Sequence, residues 1–477
     1  MGDKSIKRHG EIMEWNRRDF IKNGVLAVAG VTAPFSALEF LYSENCIAIP
    51  NLRNPRITKR INLIFDTHYR LDPQRAIPPY SIDDYNKMCD RVVTASLLLK
   101  PDEMHLIGDM VDFNPSEWKF VETKIGEMKK NLPNLKIYGL VGNHECVYYP
   151  YHLLMSSTDF YSLNEVALKL AAPVLANADT VEVEGDASSV VLNRKMAIVS
   201  KKMETDFPFA YDIVTAQHIN GNKISFTPPL SHNYAAVDLV RQGGSNRRAI
   251  KYFRNAYHAT ETYDMTSPTD ASYATRMGNV LFIFISLNHF HPSPHPRWIK
   301  MWPEEAAWFK NMLINNKDCN IVVYTHEPPG SASDIGYPPV YNDWSKETIA
   351  LFKEICREYS IPLWISGHIH YNWRNGSRIY RPKDYGNTPI VIGPCTLSIN
   401  GPERIKNGPE DGEFLSMELE NGSKNAVIKF YSVNMISGEL DRTPIRTETV
   451  MFPHAIDLSY KISSESYAID EVLSRRD

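Results

Sequence analysis

The stretch Ile137-Tyr138-Gly139-Leu140-Val141-Gly142-Asn143-His144-Glu145 decides the fold. The run 137–141 has the length and apolar character of a buried strand, so Gly142-Asn143-His144-Glu145 falls on the loop at its carboxyl end. Open α/β sheets place their chemistry at that end of their strands. Further clusters rich in His and Asp follow apolar runs of the same kind, and it is the repetition that carries the signal.

Toward the amino terminus, 61–65 reads as a strand ending in Asp66-Thr67-His68. A helix follows over 81–100, with Ser81 and Asp84 as a capping pair and Met88, Val92, Ala95 and Leu99 at helical spacing. A strand over 104–107 ends in Gly108-Asp109-Met110-Val111-Asp112. The next helix, 116–131, places Trp118, Val121, Ile125 and Met128 on one face. This alternation calls for a sheet with helices packed on its faces.

Strands of this type resume at 280–285, after an interval of about 125 residues that is too long for a loop. The interval opens with Tyr148, Tyr149, Tyr151 and Tyr161, alternates near 189–199 and is charged around 241–248. It reads as an insertion or cap built from short elements. Beyond it, Pro303 starts a helix to about Asn315, with Glu304 and Glu305 favoured by the dipole in its first turn. The strand 321–324 ends in Thr325-His326-Glu327. A helix over 345–359 leads to the strand 362–366, which ends in Gly367-His368-Ile369-His370. Strands follow at 390–392, 414–419 and 426–431, the last two joined by the turn signal Asn421-Gly422. From about Asp441 the chain reads as irregular wrapping.

Aspartate, histidine and asparagine at these strand ends supply oxygen and nitrogen ligands for borderline divalent metals such as zinc, manganese or iron. The glycines before Asp109, Asn143 and His368 permit tight strand-to-loop turns.

Composition places no obstacle before a large folded core: 477 residues, 43% hydrophobic and 23% charged. A formal charge of -4 argues against nucleic-acid binding through bulk positive charge. Cys46, Cys89, Cys146, Cys319, Cys356 and Cys395 lack CxxC spacing and read as free thiols rather than a disulfide or zinc framework.

The segment Asn16-Arg17-Arg18-Asp19-Phe20-Ile21-Lys22, followed by an apolar run over 24–41, resembles a bacterial twin-arginine export signal. The alternative is a first helix that happens to carry an Arg pair. The run is shorter than the ~20 residues a membrane span needs. The resemblance implies export through the twin-arginine machinery to the periplasm or outside the cell, with contact to the membrane only through this segment. Cleavage after Ala48 and an uncleaved tether both remain open.

Taken together, the motifs DxH, GDxxD, GNHE, H and GHxH resemble the calcineurin-like metallophosphoesterase superfamily over roughly 60–150 and 275–400. The resemblance implies an α/β protein with an αββα sandwich and a binuclear metal centre of two divalent transition metals, Zn, Mn or Fe. Asp66, His68 and His370 are implied for one metal, Asn143, His326 and His368 for the other, with Asp109 bridging. The implied activity is hydrolysis of phosphomonoesters or phosphodiesters of small-molecule substrates, by attack of a metal-bridging hydroxide. His144 is implied as general acid or electrostatic stabiliser and Asp112 as its carboxylate partner. Purple acid phosphatases carry a tyrosine ligand after the aspartate of the second motif and lack the histidine of DxH; at both positions this chain matches the phosphodiesterase pattern. Iron-tyrosinate colour is therefore not expected.

The domain reading is a signal region at 1–48, the first half of the core at 55–149, an insertion at 150–275, the second half at 276–440 and a wrapping segment at 441–477. Specificity is assigned to residues 146–275 and to the loop carrying His289, His291 and His295. Two alternatives stand beside the hydrolase: a nuclease of the same superfamily, which the export signal and mild acidity disfavour, and a non-catalytic metal-binding scaffold. A scaffold of this kind would usually have lost ligands, and here each motif is filled.

Overall fold

A computed structural model describes residues 57–72, 76–112, 115–146, 166–204, 209–242, 265–268, 272–286, 288–290, 298–301, 303–330, 345–370, 379–397 and 411–460. The twin-arginine segment, the tyrosines at 148–161, His291 and His295 lie outside the described residues. No described helix is long and apolar enough to cross a membrane.

The first half alternates as the sequence suggests: β1 (Thr58–Ile64), α1 (Ile82–Leu97), β2 (Glu103–Ile107), α2 (Trp118–Asn131), β3 (Lys136–Leu140) and the single turn α3 (Asn143–Cys146). Ser81 caps α1: its side chain accepts from Asp84 N at 3.1 Å, and the Asp84 carboxylate accepts the Ser81 N–H in return. Trp118, Val121, Ile125 and Met128 form the buried face of α2. The next six strands are β4 (Val166–Lys169), β5 (Thr180–Glu182), β6 (Lys195–Val199), β7 (Tyr211–Asn220), β8 (Lys223–Thr227) and β9 (Leu239–Gln242). They are followed by β10 (Met265–Thr266), β11 (Tyr273–Met277), β12 (Val280–Ile285), β13 (Asn288–Phe290), β14 (Trp298–Lys300), α4 (Pro303–Asn315), β15 (Asn320–Thr325), α5 (Lys346–Tyr359), β16 (Leu363–Ser366), β17 (Ile379–Tyr380) and β18 (Ile390–Ile392). The chain closes with β19 (Asp411–Glu420), β20 (Asn425–Asn434) and β21 (Arg446–Met451).

These elements build an αββα sandwich. One sheet has the order β21-β20-β19-β1-β2-β3 and the other β10-β11-β12-β15-β16-β18-β17. Within each, the central strands run parallel, β1 with β2 and β3, and β12 with β15, β16 and β18. Strand alternation assigns the faces of the second sheet. Phe282, Phe284, Val322, Tyr324, Leu363 and Ile365 pack into the core shared with the first sheet, α1 and α2. Their neighbours Leu281, Ile283, Ile321, Val323 and Trp364 pack beneath Phe309 of α4 and Phe352 of α5.

The segment from 441, read as irregular, holds an edge strand instead. β21 pairs antiparallel with β20, and only Val450 of its residues is buried. An edge strand exposed on one face has too few apolar residues to signal itself by alternation. Strands β4 to β9 form a third, antiparallel sheet in the order β4-β9-β6-β7-β8-β5. In β6, Met196 and Ile198 enter that sheet's own core, whereas Ala197 and Val199 enter the main one. The stretch 189–199 is thus a turn followed by a strand buried on both faces, not a single alternating element. Cys89, Cys319, Cys356 and Cys395 are free thiols.

Polar side chains also join the two main sheets. The Tyr273 hydroxyl donates to Gly139 O at 2.6 Å and accepts from Gly139 N at 2.9 Å. His105 is fully buried, with Nδ1 3.1 Å from the Tyr324 hydroxyl and Nε2 3.1 Å from Glu103 Oε2. Burial lowers the His105 pKa despite the opposing pull of Glu103. Because the folded value lies below the unfolded one of about 6.5, the unfolded chain takes the proton first as pH falls, and stability is lost on acidification. In His105→Gln, which does not titrate, the loss of unfolding free energy between pH 7.5 and 5.5 should be shallower by up to ~1.4 kcal/mol per pH unit. Denaturant midpoints measured across that range test this.

Candidate metal centre

Five parallel strands, β1, β2 and β3 of the first sheet and β15 and β16 of the second, each end in one cluster. Asp66 and His68 follow β1, Asp109 and Asp112 follow β2, and Asn143 and His144 open α3. His326 follows β15, and His368 and His370 follow β16. The loops after β1 and β2 continue their strands' pairing, with His68 N donating to Asp109 O at 2.9 Å and Tyr69 N to Met110 O at 2.9 Å.

Donor atoms converge in two groups that share Asp109. Asp66, His68, Asp109 and His370 form one, and Asp109, His326 and His368 the other, each residue offering one atom within 4.8 Å of the rest. In the first group His68 Nε2 lies 2.9 Å from His370 Nε2, and His370 Nε2 lies 3.2 Å from Asp66 Oδ1. In the second, His326 Nε2 is 2.9 Å from Asp109 Oδ2. Asn143 Oδ1 borders this group, 2.9 Å from His368 Nδ1. A third constellation joins His68 and His144 through Asp112, whose Oδ1 is 3.1 Å from His144 Nδ1 and 3.4 Å from His68 Nδ1.

These residues fit a pair of cations. His326 donates Nδ1–H to Ile107 O at 2.8 Å, which fixes its tautomer and turns Nε2 toward Asp109. Despite their proximity, His326 Nε2 and Asp109 Oδ2 are not aligned as a hydrogen bond, and both are buried without a hydrogen-bond partner among the described residues. Buried polar atoms so placed are costly unless something else satisfies them. The donor set, imidazole nitrogens with carboxylate oxygens, suits zinc, manganese or iron.

Charge follows the same geometry. Burial works to raise the Asp66 carboxyl, but His370 and His326 hold it below the ordinary range. Asp109 is likewise pushed up by burial, yet His326 and His144 bring it well below that range. Burial lowers the His326 pKa, and the Asp109 and Asp66 carboxylates more than reverse this, leaving it well above the usual value. His68, desolvated and beside His144, falls to about 3 and is therefore neutral, the form in which an imidazole can bind a cation.

The backbone at the site is unusual. Asp66, His68, Asp109, His368 and His370 have φ of 49°, 48°, 51°, 73° and 56°. Asp and His tolerate this left-handed region better than most side chains, but each instance still costs on the order of 1–3 kcal/mol. The glycines meet a stricter demand than turn geometry. A Cβ on Gly108 would lie 2.4 Å from His326 Nδ1, and one on Gly142 2.3 Å from Asp109 Oδ1.

Glu145 closes the tetrad Gly142-Asn143-His144-Glu145, and its role emerges only from its contacts. It is fully buried and binds two loops together. Its Oε2 accepts from Asp109 N at 2.8 Å and Gly142 N at 2.7 Å, and its Oε1 from Met110 N and from Val111 N at 3.2 Å. Burial and the Asp109 charge push its pKa up to about 8, against the His326 imidazole and the N–H donors of Val111 and Gly142. Glu117 acts similarly on the next turn, accepting from Asp112 N at 2.9 Å and Leu71 N at 2.8 Å. An acidic residue in a helical turn gives no sequence signal that distinguishes this role from a solvated one.

No family model matches the chain, and no curated protein matches it. Among solved structures it is similar to a purple acid phosphatase from yellow lupin (Lupinus luteus) seeds, with 10% identity and a TM-score of 0.39, covering 86% of this chain and 57% of that one. It is also similar to a dimetal phosphatase from Danio rerio, with 11% identity and a TM-score of 0.36 over 83% of this chain and 99% of that one. A putative 5'-nucleotidase from Staphylococcus aureus gives 12% identity and a TM-score of 0.31, covering 86% and 57%. The chain thus spans little more than half of the lupin and staphylococcal structures. Similarity at this level carries no argument about activity, which rests on the side chains of the site.

In Glu145→Gln, the amide NH₂ would face two backbone N–H donors. The variant should lose on the order of 3 kcal/mol of stability and bind metal more weakly. Denaturant midpoints and metal retained after dialysis measure both effects.

Proposed function

We propose that this chain is a two-metal phosphohydrolase of the calcineurin-like metallophosphoesterase superfamily, acting on phosphomonoesters or phosphodiesters of small molecules. The observation that carries the reading is Asp109, shared between two buried groups of ligand type, with the His144–Asp112 pair beside it. Asp66, His68, Asp109 and His370 would hold one cation, and Asp109, Asn143, His326 and His368 the other. When bound, the pair supplies positive charge to the phosphoryl oxygens and lowers the pKa of a water.

The chain's own contribution is to shape and dry the site and to place a proton. His144 Nδ1–H donates to Asp112 O at 2.7 Å, so Nε2 is the ring nitrogen turned away from Asp112, 3.9 Å from Asp109 Oδ2, and the one assigned to face a leaving oxygen. Its side chain is 18% exposed, whereas His68 and His326 are sealed at 1% and 0%. A group that meets substrate needs that access. His144 N also donates to Asp109 Oδ1 at 2.8 Å, tying the proton donor to the shared carboxylate.

Export rests on the twin-arginine pattern at 16–22, which supports a periplasmic or extracellular site of action. Substrate selection is assigned to residues 146–275 and to the loop carrying His289, His291 and His295, where the sequence departs from the shared motifs.

Purified protein should carry about two divalent transition metals per chain and hydrolyse p-nitrophenyl phosphate or bis(p-nitrophenyl) phosphate. His144→Ala should retain its metal but lose about 10²–10⁴ in kcat. Metal-loaded protein inactive on both esters would refute the reading. Cleavage confined to plasmid or single-stranded DNA would move it to a nuclease, and metal binding without hydrolysis to a scaffold.

A further inference from the structure

Arg70 follows the ligand His68 by two positions and belongs to none of the motifs, yet it is 7% exposed and faces Asp112. Its Nε lies 3.3 Å from Asp112 Oδ2, and its guanidinium carbon sits 4.3 Å from the centroid of the Tyr85 ring. Asn86 on α1 secures its backbone from both sides, accepting Arg70 N–H at 3.1 Å and donating to Arg70 O at 2.7 Å. Such a side chain is not arranged to reach solvent. It is stacked on the Tyr85 ring and directed at the Asp112 carboxylate.

That carboxylate divides its work. Asp112 is 1% exposed, its Oδ2 facing Arg70 and its Oδ1 facing His144 Nδ1 and His68 Nδ1. Glu117 holds the backbone N–H of the same residue. With both backbone and Oδ2 restrained, Oδ1 has one place to be, and the His144 ring is oriented by it. Without the guanidinium, the carboxylate could pivot, and a buried charge would lose one of its partners.

We propose that Arg70 is a positioning residue for leaving-group protonation, acting through Asp112 on His144. This role rests on the phosphohydrolase reading above. In the step concerned, the P–O bond to the leaving oxygen breaks and its electron pair takes the proton from His144 Nε2. A new P–O bond forms to a water oxygen, whose proton passes to solvent, and solvent restores the proton on His144. The more basic the leaving oxygen, the more the step depends on a well-placed proton. Loss of Arg70 should therefore harm poor leaving groups more than good ones.

The test is a series of aryl phosphate esters, from p-nitrophenyl to phenyl, at saturating metal. Arg70→Met should lose about tenfold more kcat on the phenyl than on the p-nitrophenyl ester, with KM and bound metal unchanged. Arg70→Lys, which keeps the charge without the planar fork, should fall between and carries the same comparison if the Met variant does not fold. The double variant Arg70→Met/Asp112→Asn should lose no more than Asp112→Asn alone. An equal loss across the series, a loss reversed by added metal, or no loss would overturn the role of Arg70 while leaving the hydrolase intact. Absence of turnover by the metal-loaded parent on every ester would instead overturn the reaction itself.

Discussion

Asp109 Oδ2 and His326 Nε2 approach to 2.9 Å across the junction of the two sheets, and many of the molecule's unusual features serve that approach. Asp109 leaves β2 of the first sheet and His326 leaves β15 of the second, so the contact forms only when the sandwich closes. It also demands space. Gly108 and Gly142 stand where a Cβ would collide with the His326 ring or the Asp109 carboxylate. The Ile107 carbonyl then turns the imidazole so that its remaining nitrogen faces the shared carboxylate.

Such a site is held against its own preferences. Left-handed backbone recurs at its candidate ligands, and carboxylates and imidazoles are packed together out of water. The compensation comes from hydrogen bonds that join one loop to another. Glu145 gathers N–H groups from the loops after β2 and β3, and Asp66 accepts His368 N at 3.1 Å from the opposite sheet. Glu117 secures Asp112, and Asn86 secures Arg70. Strain at these positions is thus offset by buried acceptors that join one loop to another, the arrangement expected where a site must be rigid before it binds.

Much of this was legible in the chain. Ser81 with Asp84 gave the start of α1, and Trp118, Val121, Ile125 and Met128 gave the buried face of α2, because caps and helical spacing are local properties. The apolar run 280–285 reads as a strand and forms β12, which is buried along its whole length. The residues placed at strand ends by pattern are brought together in space. Where sequence reading fell short, the cause is also physical. β21 is an exposed edge strand with little apolar signal, and the third sheet is made mostly of short strands, with the longer β7 interrupted by a bulge near Ala216.

By itself the sequence determined which strands end in ligand-type residues and in what order, since apolar runs and the glycines that close them are written locally. Only the tertiary structure decided that clusters separated by more than 200 residues, such as Asp109 and His326, share one site. The same holds for Glu145, Glu117 and Arg70. Their chemistry depends on which backbone N–H or carboxylate they meet, and that partner is supplied by another loop. Burial does the rest: the charges that orient Asp112 and its two histidines act strongly only because closing the sandwich has removed the water that would screen them.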